Sequence, residues 1–496
     1  MDLKNKSIKF SQMKNTVFFL SLVILLIVSS CEKMIDVDQP DTIEQNQAFT
    51  DKNSISLSIL GIYSLMTDLV EPMFLAGEVR ADLVVSSKSA GTYIKEFSNN
   101  SFSASNPYIS PKPFYTIINN TNNFISAFES LLSENRMDSA DFIKYKSELV
   151  GIRVWTQYQV AKIFGKCKYY TKELSSGDNS DLEELAFGSE LLNKLVSDLQ
   201  FSDTNIFTSQ KDDIVWQCIR FNDFYINALM GELYLDLGDY ENAYNKFNEV
   251  TSDGDIMNKI PNSANRFNIL SKLNNTDWIA ELFIADWEAS PLLNNAVFMI
   301  AFDNKYNQTN ELWNWTSSLN YQVTPATWFS NQFEIHTNID KDNFDYRYYS
   351  VANLYQNTNK PYAISKYLQN DRPFIMTRTA RIELLKAFCL NAQGINAIPQ
   401  INRIRKRLNY PDIDITNMPE DDALKLTWIE DKIIEELSYE NAFEGQRWYD
   451  IMRVALRRND LSYLANKVAQ KYSEESREKL RTELMDYNNW FIPIFE

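Results

Sequence analysis

With 496 residues the chain is long enough for one large domain or two ordinary ones. A formal charge of −17 repels phosphate backbones and argues against nucleic-acid binding. The single histidine, His336, leaves almost no material for a histidine-rich metal site or a nucleophile–histidine pair, although a two-carboxylate mechanism stays open.

Lys4, Lys6, Lys9 and Lys14 precede an apolar run from Val17 to Val28 that only Ser21 interrupts. The run is too short to cross about 30 Å of hydrocarbon as a helix, so residues 1–30 read as a secretory signal. Ser29 and Ser30 then stand directly before Cys31, as in a bacterial lipobox. That arrangement predicts a lipid on the Cys31 sulfur, cleavage before it and acylation of the new amine; several acyl chains on one residue anchor firmly. Residues 31–45, with Glu32, Asp36 and Asp38, read as the lipidated end and its polar tether, and residues 46–496 as a single domain. Cys167, Cys218 and Cys389 sit in apolar helical patterns and read as buried thiols, with one disulfide among them left open.

Only 12 Gly and 14 Pro in this length favour long helices over many short strands. Apolar residues at helical spacing predict helices over Ser54 to Leu69, Tyr115 to Leu132 and Tyr145 to Phe164, with Ser- and Asn-rich residues 86–112 as a long surface loop. Asn227 to Val250 places Gly231, Tyr234, Ala243 and Phe247 at the spacings of a tetratricopeptide unit, two helices packed across a Gly238-Asp239 turn. Arg381 to Leu408 fits a second helical hairpin broken near Gln393-Gly394. The expected fold is therefore mostly α, with scaffold over about 46–254 and 366–496.

Residues 255–365 interrupt the helical pattern with Asn, Asp, Thr and aromatics. Glu281 to Trp287 reads as a short β-rich run, and Asp345 and Arg347 as a local ion pair. Sugar rings present flat C–H faces that pack on exposed Trp or Tyr, while Asn, Asp and Arg bond their hydroxyls. Trp313, Asn314 and Trp315 fit that chemistry, with Tyr306, Tyr93 and Phe97 as further candidates. Most aromatics of any chain must nevertheless be core. No cluster has the ligand density of a calcium or zinc site, and no cofactor is implied.

The densest signal is IIEELSYENAFEGQRWYDIMR, Ile433 to Arg453. Its periodicity predicts one helix that carries Glu436, Glu440 and Glu444 on a single face, with Arg447, Asp450 and Arg453 following. Gly445 would then lie mid-helix at a cost of about 1 kcal/mol, a position that calls for a close approach by another segment. A catalytic carboxylate pair and a structural ion network both fit this face.

These residues, from Glu436 to Arg453, resemble the C-terminal signature of the RagB/SusD family of outer-membrane nutrient-binding lipoproteins. Leu437 and Asn441 depart from it, standing where the family carries Arg and Leu. Gly77-Glu78 with Asp82, Tyr115 with Ile118 and Asn122, Glu148 with Arg153, and the closing Trp490 to Ile494 resemble further family segments. The resemblance implies a SusD-like helical scaffold with tetratricopeptide-like helix pairs and a loop-rich ligand face. It implies a surface lipoprotein that binds an oligosaccharide and delivers it to a SusC-like TonB-dependent transporter in the outer membrane, without catalysis. Acidic residues after Cys31 resemble the family's surface-export signal. A peptide ligand, or a glycoside hydrolase using Glu440 and Glu444, are the rival readings.

Overall fold

The computed structural model describes residues 52–174, 182–205, 218–251, 296–316, 321–338, 347, 364–367, 369–407 and 410–495. The signal segment, Cys31, the tether, Glu281 to Trp287 and Asp345 lie outside them, as do the side chains of Tyr306 and His336. The chain forms two compact units, Met1–Ser58 and Ile59–Glu496, and the scaffold and the candidate site belong to the second.

Helices dominate, as the low Gly and Pro content requires. After α1 (Lys52–Met66) and the short α2 (Val70–Phe74) comes a wide turn, Leu75–Val79, in which the Arg80 N–H reaches back to Leu75 O at 3.1 Å. The strand β1 (Val84–Ser86) follows. Residues expected as one long loop instead contain α3 (Thr92–Ser98) and a 3₁₀ turn at Pro107–Ile109. Glu96 explains the order there: it accepts from Ser103 N at 3.2 Å, Ser103 Oγ at 2.6 Å and Asn106 Nδ2 at 2.8 Å. Phe97, a binding candidate by sequence, is wholly buried and packs on Phe102.

The scaffold proper begins with α4 (Lys112–Ser133) and α5 (Ser139–Phe164), packed on each other. Arg153 on α5 donates to Asn122 on α4 at 2.9 Å, joining two of the family-like segments. The hairpin β2 (Lys166–Lys168) with β3 (Glu184–Ala186) leads to α6 (Ser189–Asn205). The tetratricopeptide spacing yields α7 (Asp223–Leu237) and α8 (Tyr240–Thr251) about a left-handed Gly238. A Cβ on Gly231 would stand 2.5 Å from the Phe247 ring, so only glycine permits this approach.

Past β4 (Ala296–Ile300) come α9 (Leu312–Thr316), β5 (Val323–Pro325) and α10 (Thr327–Asn338). The strand β6 (Phe374–Arg378) pairs antiparallel with β4, and β5 pairs antiparallel with β1. The last scaffold helices are α11 (Thr379–Ala392), α12 (Ile398–Arg407), α13 (Asp422–Glu440), α14 (Arg447–Arg458), α15 (Leu461–Ala469) and α16 (Glu474–Leu484). Cys167, Cys218 and Cys389 are buried free thiols.

The single helix expected over Ile433 to Arg453 is two. α13 stops at Glu440, residues 441–446 turn, and α14 starts at Arg447. Phe443 (φ 68°) and Gly445 (φ 71°) are both left-handed, which breaks the helix. The close approach expected at Gly445 is real, and its partner is Gly77: a Cβ on Gly77 would lie 1.9 Å from Gly445 O.

Gly77→Ala is therefore expected to abolish folding or lower stability by more than about 4 kcal/mol. Gly61→Ala, mid-helix with nothing within 4 Å of the new Cβ, should stabilise by about 0.5–1 kcal/mol. Thermal melts of both variants check the pair; equal effects would contradict it.

Candidate functional site

The charged signature forms a buried lock. Glu78 accepts from Phe443 N at 2.7 Å and Gly445 N at 3.0 Å, gripping the turn. Burial pushes the Glu78 carboxyl up to about 8, against the pull of those two N–H groups and of Lys366 and Arg447. Asp82 takes Arg447 in a two-pronged pair, Nε at 2.7 Å and Nη2 at 2.8 Å. Arg378 bridges Glu440 (2.8 Å) and Glu444 (2.9 Å), and Lys366 also reaches Glu444 at 2.6 Å. Arg347 goes to Glu436 at 2.6 Å rather than serving only a local pair, and Arg405 to the other oxygen at 2.9 Å. Asp450 holds both Arg381 amines at 2.9 Å, and Arg453 reaches Asp236 at 2.6 Å. Glu436, Glu440 and Glu444 are all within the core, facing cations rather than an opening. The region is built to hold the chain together.

The lock positions a second region. The strand after Asp82, β1, aligns with β5 in the register Val84↔Pro325, Val85↔Thr324, Ser86↔Val323. Ala326 N donates to Leu83 O at 2.7 Å, and Trp328 Nε1 to Asp82 O at 2.9 Å. Just beyond the pair, Gln322 clamps three segments. Its carbonyl takes Ser87 N at 2.8 Å, its side chain takes Gly91 N at 2.8 Å, and its own N–H donates to Trp315 O at 2.8 Å. The buried side chain of Asn106 fixes the neighbouring loop, donating to Tyr93 O at 3.1 Å and accepting from Tyr108 N at 3.0 Å. Tyr108 meets Trp315 edge-on, ring centroids 5.5 Å apart.

The stretch around Tyr93 and Tyr108 is thereby tethered to the stretch that carries Trp313, an aromatic strip built from two segments. Tyr93 is exposed and Trp313 partly so. Asn314 is turned onto Glu311, Nδ2 lying 2.9 Å from Oε2. Trp315 is a correction: it is 4% exposed and underlies Tyr108 instead of offering a face. Residues two apart on a helix point about 200° apart, so within α9 Trp313 and Trp315 must face opposite ways. Tyr108, Asn106 and Gln322 were missed. Asn106-Pro107-Tyr108 is a legible turn signal, but nothing local marks Gln322, whose partners are distant in sequence.

The strip is acidic at one end. Burial, then the Glu311 and Asp68 carboxylates, raise Glu71 to about 7. Burial, then Glu71 and Glu311, also raise Tyr108. Beside the strip lies a cleft of about 630 Å³ between α1 and the turn after β4, lined by Leu60, Tyr63, Ile219 and Ala301, with Asn304, Lys305 and Asp371 among its rim residues. Tyr306 belongs to the 3₁₀ turn on that rim. Among the described residues no cluster of three metal-binding side chains occurs.

The helical scaffold thus buries the carboxylates of its charged signature and carries the aromatic strip on loops. Residues 296–496 match the SusD family model. It is 23% identical over 491 residues to SusD-like protein P38 of Formosa agariphila, covering 88% of this chain and 91% of that one. A SusD superfamily protein of Bacteroides vulgatus shares the fold at 17% identity with a TM-score of 0.70, over 89% of this chain and 96% of that one. A laminarin binding SusD-like protein does so at 15% identity with a TM-score of 0.65, over 87% and 96%.

Two outcomes test this division of labour. Arg447→Ala leaves Asp82 buried with its main cation removed and should cost about 3–5 kcal/mol, seen as poor expression or a depressed melting temperature. A well-folded Arg447→Ala protein of normal stability would contradict the lock. The raised Glu71 carboxyl holds more protons folded than unfolded between its ordinary 4.5 and about 7, so it lowers stability as pH rises through that window. Glu78 and Asp223, also raised, act in the same direction, so the measurement is a difference. Glu71→Gln should melt with wild type near pH 4.5 and about 2 °C or more above it at pH 7.5.

Proposed function

We propose that the chain is a lipid-anchored protein of the outer cell surface that binds an oligosaccharide on the Tyr93–Tyr108–Trp313 strip and passes it to a TonB-dependent transporter. The observation that supports this reading is the Gln322 clamp, because it ties together two aromatic segments that are far apart in sequence. Aromatic faces flanked by amide and carboxylate groups are what sugar rings need. Asn314 and Glu311 supply such groups here, and Tyr306 extends the candidate set toward the cleft. The match of residues 296–496 to the SusD family model supports a glycan ligand. The lipobox at Cys31 supports the anchor. The hydrolase reading fares poorly: its nearest carboxylates, Glu440 and Glu444, are both bonded to the buried Arg378.

Calorimetry of the purified protein with a panel of oligosaccharides tests the site. Trp313→Ala and Tyr93→Ala are each expected to weaken the bound glycan about 5- to 50-fold, a stacking loss of roughly 1–2 kcal/mol, with melting temperature unchanged. Unchanged affinity in both variants would remove the strip as the site.

A further inference from the structure

We propose that the cleft beside the strip seats an aryl substituent carried by the bound glycan, so that the preferred ligand is an aromatically decorated oligosaccharide rather than bare sugar. This rests on the strip being the glycan site. The cleft, at about 630 Å³, is in the range that encloses a small organic group. Leu60, Tyr63, Ile219 and Ala301 face it, backed by Met299 and Phe302. The Tyr63 hydroxyl is already committed, donating to Glu148 at 2.6 Å and accepting from Phe221 N at 2.8 Å, so only its ring is left for a ligand.

This wall suits hydrocarbon. Sugar hydroxyls pressed against Leu60, Ile219 and Ala301 would lose water without gaining partners. An aryl ring instead gains from apolar burial, and a thioether such as that of Met299 favours aromatic neighbours. The polar groups are at the mouth: Asn304 and Lys305 are exposed, and Gln308 and Asp371 partly so, where the oxygen linking ring to sugar would sit.

The cleft is also close enough to the strip for one ligand to use both. Ser64 at the cleft and Glu71 at the strip are seven residues apart along nearly continuous helix, about 10 Å at 1.5 Å per residue. From the other side, Gln308 in the cleft leads to Asn310, whose carbonyl accepts from Trp313 N at 3.1 Å. A span of that length is one or two sugar units.

The test pairs gluco- and xylo-oligosaccharides with their 4-nitrophenyl glycosides, measured by calorimetry on the purified protein. The nitrophenyl member is expected to bind at least tenfold more tightly. Ala301→Trp, which fills the cleft, should erase that advantage and leave the unsubstituted sugar unaffected. Ser64→Trp, at an exposed helix position on the cleft edge, gives the same readout should the first variant fold poorly. Trp313→Ala should weaken both members alike. Ferulate alone separates the two readings: if it binds and is lost only in the cleft variants, the cleft inference stands even where no glycan binds the strip. Equal affinity within each pair overturns the inference. So does an advantage that survives both cleft variants, or loss of unsubstituted sugar on filling the cleft.

Discussion

The structure depends on a carboxylate gripping a backbone turn. Glu78 takes the N–H groups of Phe443 and Gly445, two residues at positive φ, while Asp82, a little further along the chain, takes Arg447. The chain between 78 and 82 thus holds the turn that separates α13 from α14, across more than 360 residues. Gly77 fits there because Gly445 O occupies the space of its missing Cβ. Buried ion pairs add little stability over well-packed apolar groups, yet removing one partner strands a charge. Such a device fixes which segments meet more than how tightly they hold.

The same segment sets the position of the aromatic strip. Asp82 is followed at once by β1, which selects β5, and the β5 side carries Gln322. Each link is short and directional, so the position of Tyr93 and Trp313 is inherited from the core and not from the loops themselves. Asn106 and Glu96 serve the same end, because they satisfy the backbone of a loop that would otherwise need water.

Cations inside the scaffold follow a second pattern. Arg80 lies 4.0 Å from the centre of the Trp448 ring and donates to Asn100 and to the carbonyls of Asn489 and Trp490; burial lowers it to about 9. Lys471 caps the carbonyls of Val79 and Val84 at 2.7 Å and 3.1 Å, and burial lowers it to about 7. Both tie the Glu78–Val84 stretch to the C-terminal helices through dipoles and ring faces. The closing motif belongs to this set: Trp490 is fully buried and Ile492 N reaches Ile163 O at 2.9 Å.

Sequence by itself determined the helical class, the tetratricopeptide-like pair, the resemblance to a family and the residues of the lock, because those depend on periodicity and on local residue types. It also marked Tyr93 and Trp313, since exposed-type aromatics in polar stretches are legible one at a time. What it misread needed geometry. The Ile433 to Arg453 run is helical in pattern, yet it breaks at Phe443 and Gly445, whose N–H groups turn to the distant Glu78. Trp315 and Phe97 carry the same local signature as Trp313 and Tyr93, and burial by distant segments decides between them. Gln322 was invisible because its hydrogen bonds reach residues as far away in sequence as Gly91, 231 positions off, and Ser87 beyond it. Tertiary structure alone brings such groups together, because bonds between residues this far apart in sequence leave no local signature.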